Sequence, residues 1–341
     1  MSALLDLRGV TVRYALTGGP RRRELTAVDD VSFTLESGEM LGLVGESGCG
    51  KSTLGRAILR LVPLAAGEVH WQGRRIDQLG RKEFRGLRRG LQLVFQDPHA
   101  CLDPRMTIVE SVAEPLRAFE PGFSSTQRIE RATALLDEVG LPPELSHRYP
   151  HQASGGQLQR AVIARALIVD PRLVVCDEPV SALDVSVQGQ IVNLLARIRR
   201  ERGLASLFIS HNLAVVAGLC ERVMVMYLGR IVEIAPRAVL VPAPLHPYTR
   251  MLLDAVPRIA PTVRRRSAAI PPADVRSNDP AVPVFVPVVA PVAGCAFAAR
   301  CPHVIAHCRS ERPPLQPMRD GRQVACHRAS EWPAGLPPAA G

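Results

Sequence analysis

The chain has 341 residues, of which 47% are hydrophobic and 22% charged, with a formal net charge of +10. That length suits two domains, and that balance belongs to a folded globular protein rather than a disordered one. The opening MSALLDLRGV places Asp6 and Arg8 close behind a short apolar start, so it does not read as a signal peptide. The uncharged stretch from Pro280 to Ala299 approaches spanning length but carries Pro280, Pro283, Pro287 and Pro291, so it reads as an extended linker and not a membrane helix. The expected compartment is the cytosol. Arginines cluster at 21–23, 85–89 and 264–266. Aromatic residues make up only 4% and do not interleave with these clusters, which speaks against base stacking and hence against a nucleic-acid partner. Docking on an anionic membrane surface and plain solvated arginines are the other readings.

In chain order, residues 5–14 alternate apolar and polar side chains as an edge strand does, and Val31 to Leu35 repeat the alternation. Gly18-Gly19-Pro20 marks a loop between them. Tyr14 offers a ring on which adenine can stack, or a strand-end packing group. Met40 to Val44 is a short apolar run that reads as a buried strand. Gly45-Glu46-Ser47-Gly48-Cys49-Gly50-Lys51-Ser52-Thr53 follows, and a helical pattern runs from Leu54 to Leu61. Strand, G-x-x-x-x-G-K-[ST] and helix together make a phosphate-binding loop. Gly45, Gly48 and Gly50 let successive N–H groups turn inward around a β-phosphate. Lys51 supplies a positive charge to the β- and γ-phosphates, and the Ser52 hydroxyl suits Mg²⁺.

Gly67 to Gly73 reads as strand and turn. Leu91 to Phe95 is a further strand, ending at Gln96, whose amide can reach a metal or a water in a crevice. Residues 107–145 are mostly helical, with breaks near 120–122 and 140–143. Ser154 is placed as the N-cap of a helix over Leu158 to Val169, with Gly155, Gly156 and Gln157 in its first turn, a second anion-binding helix start. Leu173 to Cys176 is a buried strand running into Asp177 and Glu178. The aspartate reads as a second-shell Mg²⁺ ligand and the glutamate as a base that polarises water for attack on a γ-phosphate. Ser181-Ala182-Leu183-Asp184 follows. The strand Leu207 to Ser210 ends at His211, a candidate γ-phosphate contact.

This ordered set resembles the nucleotide-binding subunit of ABC transporters over roughly residues 5 to 250. The resemblance makes Gly45 to Thr53 the Walker A loop, Gln96 the Q-loop, Ala153 to Gln157 the signature, Asp177 the end of Walker B, Glu178 the catalytic base, 181–184 the D-loop and His211 the switch histidine. Val94 to Pro98, Asp103 to Thr107, Cys176 to Ser186 and Leu245 to Thr249 narrow the likeness to the oligopeptide/dipeptide importer branch, most similar to the second ATPase subunit of such systems. Three positions depart from the family pattern. Ala153 replaces the usual leucine, Asn212 replaces the usual aspartate, and the linker before Cys295 is unusually rich in Val and Pro.

The resemblance implies an α/β P-loop fold of the ABC type with an antiparallel edge sheet. The cassette occupies residues 1–254 with a helical subdomain near 98–165, and the C-terminal extension occupies 255–341. It implies an ATPase that powers import of di- or oligopeptides from the cytoplasmic face of the inner membrane. It also implies a second ATPase subunit paired head to tail, two transmembrane permeases and an extracytoplasmic binding protein. Nickel or another small solute is the alternative cargo, and a non-transport ATPase of DNA repair or translation the alternative class. That class usually has a coiled-coil insertion or tandem cassettes, and neither occurs here.

Of the 8 cysteines, Cys49, Cys101, Cys176 and Cys220 are scattered and read as free thiols. Cys295, Cys301, Cys308 and Cys326 crowd into the tail at spacings C-x5-C-x6-C-x17-C. Structural zinc favours tight pairs, so the wider spacing suits a [4Fe–4S] body, which the extension of the importer family carries. Zinc, held by these thiols or with His303, His307 or His327 in place of one, and four free thiols are the alternatives. A metal centre would fix a short, proline-rich tail that is expected to have little apolar core.

Overall fold

The computed structural model describes residues 3–16, 23–256, 293–318, 320–332 and 335–336. The loop at Gly18 to Pro20, Arg21, Arg22, the arginines at 264–266 and most of the Pro280 to Ala299 linker lie outside the described residues. Among those described, no helix is long and apolar enough to cross a membrane.

Two sheets organise the body. The strands are β1 (Leu5–Leu16), β2 (Arg23–Leu35), β3 (Met40–Val44), β4 (Ala66–Trp71), β5 (Arg74–Arg75), β6 (Leu91–Val94), β7 (Leu173–Asp177), β8 (Ala205–Ser210), β9 (Arg222–Tyr227), β10 (Arg230–Pro236), β11 (Gln316–Pro317) and β12 (Gln323–Val324). One sheet has the order β2-β1-β4-β5 and is antiparallel throughout. The first strand is therefore interior, not the edge strand its alternation suggests. Alternation reports one buried face and is silent on how many neighbours a strand has. The second sheet runs β11-β12-β10-β9-β3-β8-β7-β6, with β9, β3, β8, β7 and β6 parallel.

The parallel strands are apolar at nearly every position because both of their faces are covered. Met40 and Val44 of β3, Val174 and Cys176 of β7, and Phe208 of β8 enter the core beneath the helices. Leu41 and Leu43, Leu173 and Val175, and Leu207 and Ile209 enter the core shared with the antiparallel sheet and the helix Lys51–Ile58. That helix starts three residues before the periodic pattern and stops at Ile58, because the loop turns directly into it and Arg60 adopts φ 52. The helices Ile108–Phe119, Ser125–Glu138 and Gly155–Leu167 pack on the first core. Thr107, Ser124 and Ser154 each cap one of them, with Glu110, Gln127 and Gln157 closing the capping boxes. The arginines at 85–89 are surface groups: Arg89 pairs with Glu120 at 2.8 Å, and Arg88 lies 5.5 Å from the Phe84 ring centroid.

The C-terminal segment does not stand apart. Its β12 pairs with β10, extending the large sheet. Phe297 is 2% exposed and lies edge-on to Tyr227 at 5.3 Å and tilted to Tyr248 at 5.5 Å. The expectation of a tail short of apolar core is corrected here: it borrows the core of the main body. Phe297→Ala should lower the unfolding free energy by about 3 kcal/mol, the loss usual for a buried aromatic, as read by urea denaturation. Amide exchange at β12 should rise with it.

Candidate nucleotide site

The adjacent parallel strands β3, β8, β7 and β6 end at one edge of the sheet. They deliver there, in spatial order, the phosphate loop, His211, Asp177-Glu178 and Gln96. Ser52 and Asp177, 125 residues apart in sequence, and Glu178 and His211, 33 apart, meet because a parallel sheet aligns the carboxyl ends of its strands.

The phosphate loop is held by close backbone approach. A Cβ on Gly50 would stand 2.1 Å from the Ala27 carbonyl oxygen, and Gly50 adopts φ 107. A Cβ on Gly45 would stand 2.2 Å from the Met226 carbonyl oxygen. The Lys51 side chain is 3% exposed. Its Nζ donates to the carbonyls of Gly45 at 2.9 Å and Glu46 at 2.8 Å, and lies 4.0 Å from Glu178 Oε1. Ser52 Oγ donates to Asp177 Oδ1 at 2.7 Å. Burial raises the Asp177 pKa, and the bond from Ser52 opposes that rise. Cys49 turns its thiol inward, where burial holds it protonated, so its backbone is what it offers a phosphate. Ser47 and Gly48 are exposed and Thr53 half-buried.

Glu178 occupies left-handed backbone at φ 47, a conformation unfavourable for a side chain of its shape. Its N–H donates to the Ile209 carbonyl at 3.0 Å, and its own carbonyl accepts from Ser181 Oγ at 3.0 Å. Held in this way, its carboxylate meets His211 Nδ1 at 3.1 Å. Asn212 accepts from the N–H groups of Ala214 and Val215, so it caps the next helix as an aspartate would.

Not every expected residue joins this cluster. Gln96 is exposed beyond β6, and Tyr14 is half-buried on β1 opposite Leu25. Ser154 to Gln157 cap their own helix, and their hydrogen bonds do not reach the phosphate loop. Ser154 is exposed, Gly155 packs on Leu183, Gly156 on Val187, and Ala153 on the helical core. This helix start therefore presents Ser154 to the surface and keeps Gly155, Gly156 and Gln157 half-buried.

The structure also adds residues. Tyr248 Oη accepts from the Glu46 N–H at 2.8 Å. Buried Glu233 of β10 accepts from the N–H groups of Leu245 and His246, and His246 Nδ1 accepts from the Tyr248 N–H. Burial lowers the His246 pKa to about 3, so the ring stays neutral and can accept. The Leu-His-Pro-Tyr-Thr signal was visible in the sequence, but its link to the loop was not. Arg300 reaches Glu46 as well, at 2.9 and 3.0 Å.

Away from this edge, Cys295, Cys301, Cys308 and Cys326 line one pocket with Phe297, His303, His327 and Trp332. Burial raises the thiol pKa of Cys295 and Cys301, and raises that of Cys326 to about 12. Among the described residues, no three His, Cys, Asp or Glu side chains form a cage for a single metal ion.

A strand-loop-helix phosphate site backed by buried Asp177 and half-buried Glu178 at the carboxyl edge of a parallel sheet defines a P-loop ATPase. Two family profiles match the chain: ABC transporter over residues 28–181, and oligopeptide/dipeptide transporter, C-terminal region, over residues 232–308. The probable peptide ABC transporter ATP-binding protein y4tS of Sinorhizobium fredii is 48% identical, across 99% of this chain and 94% of that protein. The oligopeptide transport ATP-binding protein OppF of Escherichia coli is 45% identical, across 92% of each. Among solved structures, a dimeric post-hydrolysis state of the ATP-binding cassette MJ0796 bound to ADP and Pi is similar at a TM-score of 0.62. It is 30% identical and covers 68% of this chain and 98% of that one. The chain thus belongs to the ABC transporter family, as an ATP-binding subunit of the oligopeptide/dipeptide transporter branch.

The Gly50 geometry sets a local test. Gly50→Ala should cost on the order of 2 kcal/mol in urea denaturation, because the left-handed φ and the Ala27 contact both oppose a Cβ. The variant should also lose binding of a fluorescent ATP analogue.

Proposed function

We propose that this chain is the ATP-hydrolysing subunit that powers import of di- or oligopeptides through a membrane transporter. The observation that carries the ATPase chemistry is the single cluster of Lys51, Ser52, Asp177, Glu178 and His211 at the ends of β3, β7 and β8. The peptide cargo is supported by the names of the relatives and by the matched C-terminal region. Nickel or another small solute would ask nothing different of these residues.

In this reading the N–H groups of Gly45 to Thr53 and the start of the helix Lys51–Ile58 receive the phosphates. Lys51 exchanges its bonds to the Gly45 and Glu46 carbonyls for phosphate oxygens. Ser52, with Asp177 behind it and Gln96 approaching from β6, would hold Mg²⁺, which neutralises charge on the β- and γ-phosphates. Glu178 accepts a proton from the attacking water, and His211 orients that carboxylate through its Nδ1 bond and contacts the γ-phosphate. Tyr14 would face the adenine. Ser154 is exposed at this helix start, with Gly155, Gly156 and Gln157 half-buried beside it, and together they would serve the ATP of a facing subunit. That geometry favours a head-to-tail pair with a second ATPase subunit, a heterodimer in the importer pattern. Two permeases and an extracytoplasmic binding protein complete the machine, and the chain sits peripherally on the cytoplasmic face. We further assign residues 1–254 to the cassette and 255–341 to the extension.

Glu178→Gln should cut ATP hydrolysis in the assembled transporter by on the order of 10²–10⁴-fold while ATP binding persists, since shape is kept and the base removed. Near-normal turnover would overturn the assignment.

For the tail we infer a [4Fe–4S] cluster on Cys295, Cys301, Cys308 and Cys326. The donor set fits: four thiols face one pocket with apolar walls, and thiolates are the ligands such clusters take. Burial raises the pKa of Cys295, Cys301 and Cys326, so protons must leave these thiols as iron binds. Zinc and free thiols are the rivals. Anaerobic purification followed by iron and sulfide analysis should find four irons per chain, the cluster's own stoichiometry. Stoichiometric zinc, or no metal, would reject the cluster. Cys301→Ser should lose the iron while ATP binding remains.

A further inference from the structure

A loop that receives a triphosphate here carries a carboxylate of its own. Glu46 directly follows Gly45 at the first bend. Left uncompensated, its charge repels phosphate oxygens and favours loop shapes that swing it outward. The structure answers that charge from a distant part of the chain. Arg300 Nη1 donates to Glu46 Oε2 at 3.0 Å, and Nη2 to Oε1 at 2.9 Å. Such a two-point contact fixes direction as well as charge, which a lysine cannot do.

Arg300 is itself held in place. Its guanidinium lies 5.8 Å from the ring centroids of both Tyr227 and Phe297. Nη1 is 3.5 Å from Tyr227 Oη, and the Arg300 N–H donates to the Phe297 carbonyl at 3.0 Å. Tyr248, packed on the same Phe297, takes the Glu46 N–H. One loop residue is thus gripped at both backbone and side chain by groups outside the nucleotide motifs.

We propose that Arg300 is a positioning residue for the phosphate loop, neutralising Glu46 and holding the first bend in the shape that accepts ATP. The proposal rests on the nucleotide-site reading above. The side-chain hydrogen bonds of Arg300 run to Glu46, Tyr227 and Met251, so it acts on the loop through Glu46. A loop that is competent only part of the time lowers apparent affinity by that fraction, and bound ATP then holds it in place. The effect therefore belongs to affinity more than to turnover. It also ties the loop to the C-terminal segment, since Arg300 adjoins Cys301.

The test is equilibrium binding of a fluorescent ATP analogue, with Mg²⁺, to the purified full chain in five forms: unaltered, Arg300→Ala, Arg300→Lys, Glu46→Ala, and the Arg300→Ala/Glu46→Ala double variant. Arg300→Ala should raise Kd about tenfold and Arg300→Lys about threefold, because lysine keeps the charge and loses the fork. With Glu46 already removed, Arg300→Ala should change Kd less than about twofold, since the two substitutions remove one interaction. In the assembled transporter KM for ATP should rise in parallel, with kcat falling less than about threefold. An unchanged Kd for Arg300→Ala overturns the proposal. So does an equal loss with and without Glu46, which would make Arg300 a packing residue for Tyr227 and Phe297. The affinity of the unaltered chain, read in the same titration, tests the nucleotide-site reading separately.

Discussion

The buried ammonium of Lys51 is the constraint around which the site is arranged. A cation at 3% exposure is tolerated only with close partners. Two loop carbonyls and the nearby Glu178 carboxylate supply them. Those partners exist only if the loop curls back over its own helix start, and that curl needs Gly50 at φ 107 beneath the Ala27 carbonyl. The charge, the backbone turn and the neighbouring acid are one arrangement.

The second constraint is the two-faced sheet. Because β3, β7 and β8 alternate their side chains between two cores, their backbones are fixed and their ends fall in line. The strained Glu178 then survives at a strand end, held by the Ile209 carbonyl and Ser181. Strain of this kind persists where the surroundings over-determine it. The signature turn is built on another principle. Ser154 and Gln157 satisfy each other's backbone N–H groups, and Ser154 stays exposed at the helix start.

The tail is the part that changes the picture most. It lends β12 to the main sheet and Phe297 to an aromatic cluster with Tyr227 and Tyr248. Through Glu233, His246 and Tyr248, the segment at 245–249 is tied to the phosphate loop. The cysteine pocket and the phosphate loop are thus separated in sequence and joined by one layer of aromatic side chains.

The sequence by itself determined the phosphate loop, the acidic strand end, the capped signature helix and the family, since each is a local pattern whose residue types dictate local geometry. Ser154 as a cap and Met40 to Val44 as a buried strand are of this kind. The tertiary structure alone decided that β1 is interior, that Gln96 stays exposed, and that the tail packs into the main body. It alone brought Tyr248 and Arg300 to Glu46. The physical reason is range: alternation and capping act within a few residues, whereas strand neighbours and long-range ion pairs depend on which surfaces the folded chain brings together, and no local pattern records that.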